Sequence, residues 1–184
     1  MYRWLKDTLK IAEVDDEVEA EIKQREPDSH GLTFLPFLAG ERSTGYHENA
    51  KGAILGLTQH TDAVEITQAA MESVAFRFAE IFEQLQKIVE IKTIIASGGA
   101  LRESPVWTQI IADTLGQNLS LPDTREASSR GVVLLALEQI GKIENISELP
   151  TPEGNHFDFN QQKHEIYLQA RERHEKFYQL LMTK

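Results

Sequence analysis

Cysteine is absent from the 184-residue sequence. That excludes a disulfide framework, a thiolate metal site and a Cys nucleophile. Glycine and proline number only 11 and 6, too few for a collagen-like or low-complexity chain. No apolar run approaches a membrane span, and Val132-Val133-Leu134-Leu135-Ala136-Leu137 is typical of the short runs present. The opening Met1-Tyr2-Arg3-Trp4-Leu5-Lys6 leads into no apolar signal core, so a cytoplasmic location is the simplest expectation. Cations are the minority, 19 Lys and Arg against 29 Asp and Glu, for a formal net charge of −10. Nucleic acid and membrane are therefore not expected partners, since non-specific nucleic-acid binding rests on clustered cations. Anionic small ligands stay open, because helix N-termini hold them with local N–H groups.

What is present suits one globular α/β domain. Trp4, Leu5, Leu9 and Ile11 have helical spacing, and Val14, Val18 and Ile22 form one narrow stripe on an acidic helix from Glu13 to Glu26. Asp15-Asp16-Glu17 belongs to its solvated face. Leu32 to Leu38 predicts a short strand interrupted by Pro36, and residues 39–50 a polar loop. Asp62 and Glu65 have capping-box spacing ahead of a helix over 63–87, with Ile66, Ala70, Val74, Phe78, Ile81 and Leu85 as its stripe. Thr93 to Ala96 and Asn118 to Leu121 predict strands. Between them Ser104 and Pro105 open a helix that Gly116 closes, carrying Trp107 as a core residue. Ser128-Ser129 should cap a helix over 130–140 that covers the sheet through Val133, Leu137 and Ile140. Pro150, Pro152 and Gly154 suggest a linker, and residues 161–182 a final amphipathic helix.

Several site patterns are missing. The sequence has no phosphate-cradling G-x-x-x-x-G-K-[ST] loop, no H-E-x-x-H and no G-x-S-x-G elbow. Its six His are scattered, as surface residues usually are. Glu41-Arg42 suggests a loop ion pair. Ala96-Ser97-Gly98-Gly99-Ala100 remains, a strand running into a double glycine. Residues without Cβ let a planar ligand or a ribose approach the backbone, at the strand end where α/β folds place ligands. A plain strand-to-helix turn needing positive φ explains the same residues.

Longer blocks point further. Gly52-Ala53-Ile54-Leu55-Gly56-Leu57, seven residues, then Glu65-Ile66-Thr67-Gln68-Ala69-Ala70-Met71-Glu72 resembles the second signature of the FGGY family of carbohydrate kinases. Ser97-Gly98-Gly99-Ala100 with Ser104 to Asp113 is similar to the family's adenosine-binding strand and helix. Glu126-Ala127-Ser128-Ser129-Arg130-Gly131 resembles the next block, and Phe34 to Ser43 the segment preceding the signature in gluconate and xylulose kinases. The connection Leu101 to Val106 suits the gluconate-kinase-like subset.

The resemblance implies an actin-like (ribonuclease H-like) ATPase C-terminal domain over residues 31–184, truncated at its N-terminal strands and preceded by a helical segment over 1–30. It implies the nucleotide-binding part of an ATP-dependent kinase acting on a sugar or sugar acid, gluconate-type favoured. Gly98 and Gly99 would flank the adenosine, with Ser97 and Ala100 completing the turn, and the helix after Ser104 would add positive potential. No catalytic residue and no metal ligand is expected in this chain: the general base and the sugar site would belong to an N-terminal part, and Mg²⁺ would be carried by the phosphates. ATP, ADP and, through the N-terminal part, the sugar are the implied partners, and a homodimer stays open. As a piece of such an enzyme the chain would be inactive alone. A non-catalytic kinase-like binding module and a structural α/β domain without ligand are the alternatives.

Overall fold

A computed structural model describes residues 2–11, 16–150 and 152–182 of the chain. Glu13, Val14 and Asp15 of the expected acidic helix lie outside the described residues. In chain order the elements are α1 (Tyr2–Asp7), α2 (Asp16–Gln24), β1 (Thr33–Leu35), β2 (Ala53–Leu55), α3 (Ala63–Gln86), β3 (Ile94–Ile95) and α4 (Gly99–Glu103). Then follow α5 (Pro105–Leu115), β4 (Leu119–Pro122), α6 (Ala127–Gln139), a 3-10 turn at Ile146–Glu148, β5 (Gly154–Phe157) and α7 (Gln161–Met182). No helix among the described residues is long and apolar enough to cross a membrane.

Local chemistry explains the two central helices. The Glu65 N–H donates to the Asp62 carboxylate (2.7 Å) and the Asp62 N–H to the Glu65 carboxylate (3.0 Å), closing the capping box of α3. In α5 the Trp107 N–H donates to Ser104 Oγ (3.2 Å), Pro105 takes the first turn, and Gly116 ends the helix at φ +63°. α3 is buried on more sides than its expected stripe, continuously from Thr67 to Ser73, because α5 and β1 both pack on it. Phe78 and Leu85, placed in that stripe by periodicity, are exposed.

The strands form two small sheets. β1 and β2 pair antiparallel with Phe34 opposite Ile54. In the second sheet β3 runs parallel to β4, with Ile94 opposite Leu119, and β5 runs antiparallel to β4. The Leu32–Leu38 run yields only three strand residues, since Pro36 has no N–H for a ladder. Thr93, Ala96 and Asn118 fall just outside the strands, although the Ala96 N–H still reaches Ser120 O at 2.8 Å. The expected linker at 150–154 runs into β5. A Cβ at Gly154 would stand 2.1 Å from Leu121 O, so glycine is what lets β5 lie against β4.

One main core gathers Ile22, Met71, Phe76, Trp107, Ile110, Ile111, Leu119 and Tyr167. A second joins Leu5, Leu32, Phe34, Ala69 and Ala70. Trp107 is a core residue, its Nε1–H donating to Met71 O at 3.0 Å. The helix after β4 departs from expectation. Glu126, not Ser128 or Ser129, stands at its N-cap, and no α6 side chain is buried. Val132 and Val133 are 67% and 57% exposed, so the apolar side of α6 covers no layer among the described residues. It rests on the 3-10 turn instead.

Two polar networks tie the layers together. Glu72, buried in α3, accepts hydrogen bonds from Asp28 N–H (3.2 Å), Gln68 Nε2 (2.9 Å) and the Tyr167 hydroxyl (3.3 Å) on one oxygen. His30 Nδ1 accepts the Leu32 N–H (2.9 Å), so its proton sits on Nε2 and is donated to the other Glu72 oxygen (3.0 Å). Asp28 in turn is held by both terminal nitrogens of Arg173. Burial, with the Glu72 charge beside it, pushes the Tyr167 hydroxyl well above its usual range and keeps it a donor.

The second network corrects the expected Glu41–Arg42 pair. Glu41 is buried and pairs with Arg77 of α3, while Arg42 is exposed. Glu41 also accepts from the Tyr178 hydroxyl (2.6 Å) and Gly45 N–H (3.2 Å), and Arg77 lies 5.2 Å from the ring centres of both Phe37 and Tyr178. Nor are all six His on the surface: the side chains of His30 and His174 are buried.

Glu72→Gln should destabilise the fold by roughly 2 kcal/mol. If the amide oxygen keeps the three donors, its NH₂ confronts His30 Nε2–H; turned over, it confronts the three donors. Urea unfolding at neutral pH measures the loss, and an unchanged midpoint would contradict the network. Burial also pulls the His174 imidazole down from 6.5 to about 4, with the Arg77 charge adding to it. Between those values the unfolded chain takes a proton that the folded chain refuses, so the His174 contribution falls as pH drops from about 6.5 to 4, by about 3 kcal/mol in full. His174→Gln should flatten the pH dependence of unfolding in that window; an identical slope in variant and wild type would refute the assignment.

Candidate functional site

The double glycine sits where a parallel strand ends. β3 leads through Ala96 and Ser97 to Gly98, whose φ of +116° and ψ of +151° suit a residue without Cβ. Gly99 does not need that freedom: it is the first residue of α4, and a Cβ there would meet nothing within 4 Å. Ser97, Gly98, Gly99 and Ala100 are all exposed. The connection between Ala100 and Trp107 is taken up by the five-residue α4 turning into α5 at Ser104.

Two clefts adjoin this turn. One, of about 300 Å³, is walled by Ile95, Ser97, Gly131, Leu134, Ile146 and Leu149, among others. The other, about 860 Å³, includes Gly99, Arg102, Asp123, Arg125 and Asn155. Both volumes fall in the range of small-ligand sites. The smaller cleft is apolar on most sides, with Ser97, Thr124 and Arg130 as its polar edge. The turn therefore shares a cavity with α6, bringing Gly131 of the Glu126–Gly131 block beside Ser97. A Cβ at Gly131 would also meet nothing within 4 Å. Leu134, Ile146 and Leu149 were not singled out from sequence. They come from separate elements, and no local pattern in the sequence joins them.

One expectation fails. The helix after Ser104 was to lend positive potential to a ligand, but Glu19 of α2 already occupies its N-terminus. The Glu19 carboxylate accepts the Ser104 hydroxyl and, at 3.2 Å, the Val106 N–H. An internal carboxylate has taken the place of an external anion.

Asp28, His30 and Glu72 bring one ligand atom each within 4.8 Å of one another, a spacing a metal could use. Their atoms are committed elsewhere: both Asp28 oxygens to Arg173, the His30 Nε2 proton to Glu72, and Glu72 to three further donors. The cluster is a structural clasp.

The model of the FGGY family of carbohydrate kinases, C-terminal domain, matches residues 1–139. Gluconokinase of Bacillus subtilis is 31% identical over 155 residues, covering 78% of this chain and 30% of that relative. Glycerol kinase of Saccharolobus islandicus is 31% identical over 149 residues, 80% of this chain and 29% of the relative. Among solved structures, a xyloylose kinase from Brucella ovis superposes with a TM-score of 0.86 at 25% identity, over 98% of this chain and 38% of the other. Gluconate kinase from Lactobacillus acidophilus gives 0.84 at 22% identity, over 100% and 38%. The chain thus spans about 30% of the length of the curated relatives it matches.

The two glycines of the turn should differ sharply on substitution. Gly98→Ala forces a side chain into a conformation almost reserved for glycine and should cost about 1–3 kcal/mol. Gly99→Ala, in helical backbone with open space around it, should be neutral or stabilising by up to about 1 kcal/mol. Thermal unfolding of both variants checks this; equal losses would mean that the turn geometry is wrong.

Proposed function

The chain belongs to the FGGY family of carbohydrate kinases, and we propose that it carries the nucleotide-binding part of an ATP-dependent kinase acting on a sugar or sugar-acid hydroxyl. One observation carries the reading: the Ser97–Ala100 turn at the end of β3 stands between two clefts, Ser97 lining a mostly apolar one of about 300 Å³ and Gly99 a polar one of about 860 Å³. An adenosine fits that setting. Its base would lie against Ile95 and Leu134, and its ribose would approach the backbone of Gly98 and Gly99, with Ser97 and Ala100 at the edges of the turn. Mg²⁺ bound through the phosphates would neutralise charge that develops during transfer.

In this proposal residues 31–184 form the nucleotide domain and residues 1–30 a helical segment packed on it. The general base and the sugar site belong to the part of the kinase that the relatives have beyond the matched region. A gluconate-type substrate is favoured by the gluconokinase relative and by the Leu101–Val106 connection. The protein is cytoplasmic, its partners are ATP, ADP and the sugar, and a homodimer through the uncovered side of α6 is compatible with it. Phosphoryl transfer requires donor and acceptor in line, so the chain alone should bind adenine nucleotide weakly and phosphorylate nothing. The second reading, a non-catalytic kinase-like module, draws on that same uncovered side of α6, which suits an interface.

Titration of the chain with ADP tests the site. Gly99→Val adds bulk where no protein atom is met, so the fold should survive while ADP affinity drops about tenfold or more. Unaltered ADP binding in that variant would sink the assignment. A coupled assay with ATP, Mg²⁺, gluconate, xylulose, ribulose and glycerol should give no turnover for the chain alone. A chimera joining it to the preceding part of Bacillus subtilis gluconokinase should phosphorylate gluconate. A folded chimera that binds ADP and gluconate yet transfers nothing would favour the non-catalytic module.

A further inference from the structure

We propose that Glu19 is a positioning residue for the Ser97–Ala100 turn, acting through Ser104 from a helix 85 residues away in sequence. The turn has little packing of its own: its four residues are exposed, and Cβ atoms at Gly98 and Gly99 would meet nothing within 4 Å. No α4 residue is buried. Its position is therefore inherited from its two ends: from β3, whose last bond to β4 is Ala96 N–H to Ser120 O (2.8 Å), and from the far end of α4, where Ser104 both closes α4 and opens α5. The Ser104 N–H donates to Ala100 O (3.1 Å), and Ser104 O accepts the Thr108 N–H (3.2 Å). Thr108 Oγ1 adds a bond to Leu101 O at 2.9 Å. The Ala100 and Leu101 carbonyls of α4 are thus held by Ser104 and Thr108.

What fixes Ser104 is Glu19. Its hydroxyl must present a lone pair to the Trp107 N–H, which requires its proton to point elsewhere, and the Glu19 carboxylate is the acceptor that takes it. The second Glu19 oxygen accepts the Val106 N–H, an N–H that has no partner within α5. One carboxylate therefore sets the Ser104 rotamer and anchors the first turn of α5 to α2. Both bonds are charge-assisted and lie at the positive end of a helix, where they are strongest. Loss of the carboxylate should free the pivot while the apolar contacts of α5 with α3 keep the core intact.

The proposal rests on the nucleotide reading only for its binding arm. Amide hydrogen exchange on the whole chain reads the positioning without any ligand. In Glu19→Ala the amides of residues 102, 104 and 106 should exchange roughly tenfold faster or more, while those in the middle of α3 and α7 keep their protection. Glu19→Gln retains one acceptor and should recover part of the protection. ADP, titrated into the same samples, should bind Glu19→Ala several-fold more weakly than wild type and Glu19→Gln in between. Wild-type exchange at 102, 104 and 106 in Glu19→Ala would overturn the proposal. So would acceleration spread evenly over α3, α5 and α7, the mark of a general stability role. A wild-type chain that takes no ADP would overturn the nucleotide site alone, and the exchange pattern would still decide the role of Glu19.

Discussion

A carboxylate buried between helices has to be surrounded by donors, and the architecture is arranged around meeting that demand at Glu72. Its four donors come from the turn before β1, from α3 itself and from α7. Asp28, whose N–H is one of them, is clamped through its side chain by Arg173, also of α7. Arg173 goes on to reach Leu32 O at 3.0 Å, at the entry to β1. Three segments distant in sequence are therefore locked by polar geometry that apolar packing alone would leave free to slide. Glu41 and Arg77 repeat the device one turn further along α3, pinning the loop after β1 to α7 through Tyr178. The long loop over residues 39–50 is held by that anchorage together with its own Glu41 N–H and Ala50 N–H bonds to His47 O.

Features governed by chemistry within a few residues were legible in the sequence. Asp62 and Glu65 announce the start of α3; Ser104, Pro105 and Gly116 bound α5; Gly98 needs a backbone that other residues rarely adopt. Features governed by partners far along the chain were not. Glu72 meets His30 across 42 residues, Arg173 meets Asp28 across 145, and no local pattern distinguishes these side chains from solvated ones. The same limit explains Glu41, whose adjacent Arg42 offered a plausible but wrong partner. β5 escaped notice for another reason: Gly-Asn-His-Phe has neither alternation nor β-branched residues, and it is a strand because β4 offers an edge and Gly154 permits the approach. In α6 the helical period was right and the burial wrong, since periodicity states which residues share a side and not whether another layer covers it.

The site shows the same division. The double glycine marked the turn, but the cavity beside it is assembled from β3, α6 and the segment around the 3-10 turn, none of which could be brought together from spacing alone. Its construction also separates precision from exposure. A ligand turn must keep its backbone bare, so it cannot be held by its own side chains. Here the holding is displaced to Ser104, Thr108 and Glu19, outside the open surface.

That displacement limits what the proposed nucleotide can draw from this chain. Glu19 fills the N-terminus of α5 and leaves it little positive potential to offer a phosphate. The larger cleft sets Arg102 and Arg125 among Glu103, Asp123 and Glu126, so its charge is close to balanced. With a net charge of −10 the chain as a whole repels a polyphosphate at long range. Recognition at this turn would therefore rest on the base and ribose, through apolar contact and close backbone approach. Arg130 and Thr124 at the edge of the smaller cleft are what this chain offers the phosphates, and further donors and the metal would come from the rest of the kinase. Such an arrangement makes productive binding depend on both parts closing on one ligand, which couples the capture of ATP to the geometry required for transfer.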